Sequence, residues 1–318
     1  MVVPLEGDPK VTDVVLVPSP YPNDQSSATR PIEYFHGSLR IADDIWLADF
    51  DHDFAREVMD ACDPPGENLH ATRQYGAPYG FARVCVLTVP QHELHFDHDA
   101  RLITCVLLSR LVQPTSIGFQ YAARIRTWRN GHRQIVPFRP HDINAYAFVN
   151  DVGQNWLNPQ DADPVAEIFA AYNTHRPPQR ILTALWHLET VFRNYYVDVR
   201  WSLLVTGLES LIHVAGERDT KNPARYAGST RVFVQRLQLI GQQRPEFSVS
   251  EFDLREIYDR RSTLAHGQGF VQLDVRARQL ITTTEDLLRG ILRAALLDAT
   301  FAATFASDAA VQSFYPLS

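Results

Sequence analysis

Apolar residues alternate with polar ones along much of the first half of the chain, and recur every third or fourth position in the second. Ile117, Phe119, Tyr121, Ala123 and Ile125 share one face, with Gln120, Arg124 and Arg126 on the other. That period of two predicts a half-buried strand. Asn130-Gly131 is a hairpin-turn pair, so Ile117–Thr127 is expected to pair with Arg133–Phe138. Strands are also predicted over Val14–Val17, closed by Pro18, and over Phe81–Val89, and Pro31–Leu47 is expected to hold two short ones. Asp51–Cys62 has a helical pattern, with Asp51 or Asp53 as cap and Pro64-Pro65 as the stop. Arg101–Val112 fits a buried helix or a strand. Asp163-Pro164 opens a helix to about Asn173, and Pro177-Pro178 ends it near the expected domain boundary.

Beyond Pro178 the strand signals stop. Gln179–Tyr195 carries a helical stripe of Ile181, Leu182, Leu185, Leu188, Val191 and Phe192. Further helices are predicted over Val199–Val214, over Ala224–Ile240 after a charged loop from Gly216 to Pro223, and over Ser250–His266 with Ser250 as N-cap. Gln272 to about Ala306 is helical again, in one segment or two. The pattern predicts an α+β chain: a strand-rich mixed domain over 1–175, then an all-α helical bundle over 176–318.

Two charges fall on the wrong face. Leu254, Ile257, Tyr258 and Ala265 form the apolar stripe of the Ser250–His266 helix, and Arg261 lies in the same series. Glu209 sits equally out of place among Val205, Leu208 and Ile212. A buried charge is costly unless it is paired. An inter-helix pair of Glu209 and Arg261 would resolve both anomalies and fix the guanidinium; alternatively, each side chain snorkels to water from the edge of its stripe. His266 ends the helix before Gly267, where the helix dipole favours the imidazolium. Ser262 shares the face of His266.

Charge narrows the partners. Residues 1–175 carry 13 basic and 22 acidic residues, and residues 176–318 carry 17 and 15. The acidic half does not attract nucleic acid by bulk charge, so any RNA contact in the second half needs a local arginine cluster. Only Lys10 and Lys221 are lysines. Cys62, Cys85 and Cys105 are scattered, which suits buried thiols rather than disulfides or a zinc site. No apolar run is long enough to span a membrane, and the start lacks a secretory layout. A cytoplasmic protein with no membrane contact is expected.

The stretch Tyr258-Asp259-Arg260-Arg261-Ser262-Thr263-Leu264-Ala265-His266-Gly267 resembles the signature of the HEPN family, whose mark is an Arg followed four to six residues later by a His. Tyr-Asp-x-Arg-Ser-x-x-x-His-Gly is especially similar to the ApeA-like HEPN branch, and Trp201–Ile212, with Leu208-Glu209-Ser210-Leu211, resembles an earlier helix of that branch. The resemblance spans roughly residues 178–306. It implies an antiparallel helical bundle, a homodimer, and a metal-independent ribonuclease without cofactor, in which the motifs of two protomers face one cleft. Carried over, Arg261 binds the scissile phosphate, His266 shuttles protons during attack by the RNA 2′-hydroxyl, Ser262 assists and Glu209 orients Arg261. The expected substrate is RNA, tRNA included, and the expected role is a stress or anti-phage effector governed by the first domain. Non-catalytic members of the family serve as dimerising or ligand-binding modules, and that is the alternative reading.

Other features carry less. His92, His95 and His98, interleaved with Glu93, Asp97 and Asp99, suggest a metal cluster, but the segment reads as a solvated loop. A metal-dependent enzyme in the first domain rests on those histidines alone. Gly267-Gln268-Gly269 lacks the strand and lysine of a phosphate loop and reads as a helix terminator. Trp186, Tyr195, Tyr196, Trp201 and Tyr226 are expected in the core, with base stacking as the other option. Arg225, Arg231 and Arg236 on the third helix, with Arg260, are candidates to line an RNA groove.

Overall fold

The structure is a computed structural model that describes residues 10–18, 39–49, 54, 57–58, 60–61, 84–91, 97–114, 122–137, 159–194, 196–265 and 274–318. The chain divides into two compact units, Met1–Phe169 and Ala170–Ser318. The division falls a few residues before the expected boundary, inside a helix over Pro159–Thr174. The architecture is α+β.

In the first unit, strands β1 (Lys10–Pro18), β2 (Leu39–Arg40), β3 (Trp46–Asp49), β4 (Val84–Gln91), β5 (Ala122–Thr127) and β6 (Arg133–Pro137) form an antiparallel sheet of order β2-β3-β4-β1-β5-β6. β1 starts four residues before its expected apolar run, and Val11 and Asp13 add two buried positions ahead of Val14. Asp13 is buried opposite Arg124, and the guanidinium grips both carboxylate oxygens at 2.7 and 2.9 Å. The predicted hairpin is present, with Thr127 opposite Arg133 and Gly131 at φ +81°. Ala123 and Ile125 are buried, as the alternation requires; residues 117–121 lie outside the described residues.

Arg101–Val112, open between two readings, belongs to helix α1 (Asp97–Val112). It packs on β1 and β4 and buries Leu102, Cys105, Val106, Leu108 and Leu111. Burial pushes the Cys105 thiol up to about 12, so it is an inert core group. Cys62 lies outside the described residues. The described residues between Phe54 and Ala61 are helical, within the expected Asp51–Cys62 segment.

Helix α2 (Pro159–Thr174) starts earlier than expected and carries Pro164 inside it. The second unit then builds helices α3 (Gln179–Phe192), α4 (Val197–Ile212), α5 (Ser229–Gln243), α6 (Glu251–Ala265), α7 (Val275–Leu297), α8 (Ala299–Ala303) and α9 (Asp308–Phe314). Ser250 caps α6 by accepting from the Asp253 N–H at 3.1 Å. Asp298 both ends α7 and caps α8, which splits the last predicted segment. Helix α4 is central: it packs against α3, α5, α6 and α7, burying Trp201, Leu204, Val205, Leu208, Leu211 and Ile212.

The carboxy-terminal carbonyls of α4 are taken by two arginines. Arg180 donates to the carbonyls of Ser210, Leu211 and His213, and Arg236 to that of Ile212 at 2.7 Å. Orphan carbonyls at a helix end otherwise need water or a cap, and cations there also complement the dipole. Among the described residues no helix is long and apolar enough to cross a membrane.

Candidate functional site

Glu209 and Arg261 meet between α4 and α6. Arg261 Nη2 donates to Glu209 Oε2 at 3.2 Å. The side chains are 28% and 19% exposed for Arg261 and Glu209 respectively, so the pair sits at the edge of the core rather than inside it. Both sequence alternatives therefore hold in part: the charges pair, and they also reach solvent. Among the described residues the guanidinium has no second acceptor, which leaves most of its five N–H donors unused.

The other carboxylate oxygen is also engaged. The Tyr258 hydroxyl donates to Glu209 Oε1 at 2.9 Å, and the Arg261 guanidinium carbon lies 5.8 Å from the Tyr258 ring centre. Phe233 of α5 packs against the same ring, 5.0 Å between centres. Burial, then the adjacent Glu209 charge, holds the Tyr258 phenol above its ordinary range, so it stays protonated as a donor. The α6 backbone is pinned one turn earlier, where Trp201 Nε1 donates to the Ile257 carbonyl at 3.0 Å. Trp201, Tyr258 and Phe233 thus fix the stage on which Arg261 stands.

Ser262 is half-buried beside Arg261 on α6. His266 lies outside the described residues, directly after the end of α6 at Ala265.

The expected arginine groove changes. Arg236 is 0% exposed. It donates to the Tyr315 and Ile212 carbonyls at 3.0 and 2.7 Å and to Glu217 Oε1 at 2.6 Å, so it is a buried clamp and lines no surface. Arg231 donates to Asp219 at 2.7 Å, to Thr220 at 2.9 Å and to the Ser318 carbonyl. Arg260 is held by Glu256 at 2.6 Å and lies over the Trp201 ring. Arg225 is exposed, but it precedes α5 instead of lying on it. Helix α5 starts at Ser229 because the backbone of 217–227 is spent on a turn: Ala227 N–H donates to the Glu217 carbonyl and Asp219 N–H to that of Arg225.

The aromatic expectation is also corrected in part. Trp201 is buried, but Trp186, Tyr196 and Tyr226 are 62%, 71% and 65% exposed. Tyr195 lies outside the described residues. Trp186 falls on the outward side of α3 and Tyr196 precedes the first turn of α4, while the buried positions of the two helices are filled by other residues, Phe192 and Trp201 among them.

Sequence reasoning missed a charge pair that is fully inside the bundle. Arg200 on α4 and Glu285 on α7 lie 3.6 Å apart, each side chain 5% exposed. Both occupy buried positions of their helices; Arg200 lies four residues before Leu204 and eight before Leu208, the spacing that also singled out Glu209. Among the described residues no group of His, Cys, Asp and Glu could hold a metal ion. His92 and His95 lie outside the described residues; His98 is on α1, and its side chain is not among those described.

No family model matches the chain, and no curated protein or solved structure matches it.

Proposed function

We propose that the helical unit is a metal-independent endoribonuclease of HEPN type, working as a homodimer with two Arg-x4-His motifs facing one cleft. The observation that carries this reading is the Arg261 guanidinium: Glu209 holds it by one donor and leaves the rest at a partly exposed position. A planar fork of donors suits a phosphate oxygen pair and the greater charge of its transition state. His266 follows five residues later and supplies an imidazole for proton transfer. In the reaction the RNA 2′-oxygen bonds to phosphorus and the bond from phosphorus to the 5′-oxygen breaks. The imidazole takes the 2′-hydroxyl proton and returns a proton to the leaving 5′-oxygen. The products are a 2′,3′-cyclic phosphate and a 5′-hydroxyl. A stress or anti-phage role, with the first unit as its control, belongs to the same proposal.

Trp186, Tyr196 and Val199, exposed on the α3–α4 pair, favour a second reading, a non-catalytic HEPN module that dimerises and binds a partner. Incubation with tRNA in excess chelator, beside Arg261→Ala and His266→Ala, separates the two. Wild-type cleavage with cyclic-phosphate ends, lost in both variants, is the expected result. No cleavage by any of the three favours the binding module. Cleavage abolished by chelator and retained in both variants moves the chemistry elsewhere.

A further inference from the structure

The loop between α4 and α5 sorts its charges. Its two acids turn inward: Glu217 binds buried Arg236 at 2.6 Å, and Asp219 binds Arg231 at 2.7 Å. Its bases turn outward, with Arg218, Lys221 and Arg225 all exposed. Inward-facing carboxylates neutralise the clamping arginines, so the solvent side of the loop presents three cations without matching acids of its own.

The loop is also tied together by its own hydrogen bonds. Arg218 and Tyr226 form an antiparallel bridge. The Asp219 carboxylate accepts from the Lys221 and Asn222 N–H groups at 2.7 and 3.1 Å, and Asn222 Oδ1 accepts from the Ala224 N–H at 3.3 Å. The Arg218 guanidinium lies 4.2 Å over the Tyr226 ring centre, yet Tyr226 remains largely exposed. One ring face is thus covered by a cation and the rest is offered to solvent. An aromatic platform beside cations is the combination that holds unpaired bases and their phosphates. A cation–π contact keeps the ring oriented without hiding it.

The loop ends at Gly228, where α5 begins; α5 packs on α6, and its Phe233 ring lies 5.0 Å from that of Tyr258, the residue that holds Glu209 and through it Arg261.

We propose that the segment Arg218–Tyr226 is a preformed arm that binds single-stranded RNA beside the Arg261 site, with Tyr226 stacking a base and Arg218, Lys221 and Arg225 contacting phosphates. This rests on the ribonuclease reading for its biological use, but its binding test does not depend on cleavage. The arm takes over the role expected of the α5 arginines, which are committed to acids and carbonyls or displaced from the helix.

The test measures fluorescence anisotropy of a 2′-O-methyl single-stranded oligonucleotide, which lacks the attacking hydroxyl, as KCl is raised. The proteins are wild type, Tyr226→Ala, the triple variant Arg218→Gln/Lys221→Gln/Arg225→Gln, and Arg255→Gln as an exposed control on α6; circular dichroism confirms their fold. Removing one cation from a phosphate lowers the slope of log affinity against log salt by roughly 0.7, so the slope of the triple variant should be shallower by about 2. Tyr226→Ala should weaken binding by about tenfold, and Arg255→Gln should change neither. Arm variants that bind like wild type overturn the arm, as does a wild type that binds an acidic peptide but not the oligonucleotide. Arm-dependent binding by a protein that cleaves no RNA keeps the arm and ends the nuclease reading. Cleavage indifferent to the arm does the reverse.

Discussion

Glu209 and Arg261 face each other across the α4–α6 contact, with 3.2 Å between Oε2 and Nη2. The pair is partly open to water, which limits its worth: such ion pairs contribute about 0.2–1 kcal/mol. A double-mutant cycle of Glu209→Ala and Arg261→Ala, read by chemical denaturation, should return a coupling in that range. The low value matters for function. Arg261→Ala should remain folded, so a loss of cleavage in that variant reports chemistry and not collapse. A coupling of several kcal/mol would show a structural pair and undermine that distinction.

Tyr258→Phe keeps the ring, which packs 5.0 Å from Phe233 between centres, and removes the donor to Glu209 Oε1. A hydrogen bond to a charged group contributes about 1.5–3 kcal/mol, and Glu209's partial exposure places the expected loss at the low end. With one oxygen released, the carboxylate can rotate, and Arg261 loses its fixed direction. In the ribonuclease reading, kcat should fall more than KM rises. A fall in stability with unchanged kinetics would leave Tyr258 a packing residue.

Much of this site was legible from spacing. Glu209 and Arg261 were each a charge in an apolar series, and each is the other's partner. The same test applied to Phe233, Arg236, Leu237 and Ile240 would have placed Arg236 inside. A helical arginine is usually a surface residue, but Arg236 is held inside by two carbonyls and Glu217. What spacing could not give was the arm, because its form depends on Asp219 turning inward to Arg231 and on a bridge between Arg218 and Tyr226. Those are tertiary choices that a local pattern does not encode. The first unit shows the same division: alternation located β5, but a mostly apolar run at Arg101–Val112 could not distinguish helix from strand.

Arg236 should be among the most sensitive positions in the helical unit. Arg236→Met would leave the carbonyls of Ile212 and Tyr315 and the Glu217 carboxylate without their donor. Removing one member of a buried charge pair costs about 3–5 kcal/mol. Denaturant unfolding should show that loss, whereas Arg225→Met, on the exposed loop, should stay within about 0.5 kcal/mol of wild type. Equal stability of the two variants would contradict the buried clamp.

Arg200 and Glu285 make a different case. Their separation of 3.6 Å spans two desolvated side chains, and among the described residues the Arg200 Nε and Nη2 atoms lack a hydrogen-bond partner. Burial holds the Glu285 carboxyl above its ordinary range even with Arg200 and Arg289 nearby. Glu285→Leu alone should therefore destabilise by several kcal/mol, about 3–5, through the stranded guanidinium. Arg200→Met/Glu285→Leu together should recover most of that loss, because an apolar pair carries no desolvation cost. A double variant as unstable as the single would mean that the charges stabilise the α4–α7 contact.

Acid sensitivity should come from the opposite kind of carboxylate. Arg276, then Ser250, hold the Asp253 carboxyl below its ordinary range. For Glu256, burial pulls upward, but Arg276 and Arg260 overcome it, and the net shift is down. A folded-state value below the unfolded one stabilises fully above the unfolded value, about 3.9 for Asp and 4.3 for Glu, and is lost as pH falls through the folded value. Glu285 works the other way, since a raised carboxyl is relieved of its charge as pH falls. Arg276→Met removes the cation shared by Asp253 and Glu256, so helical circular dichroism should vanish at a higher pH in the variant than in wild type. The difference between the two proteins should be largest near neutrality, where both carboxylates are ionised, and should shrink below pH about 4. Identical acid midpoints would show that Arg276 contributes nothing to either carboxylate in solution.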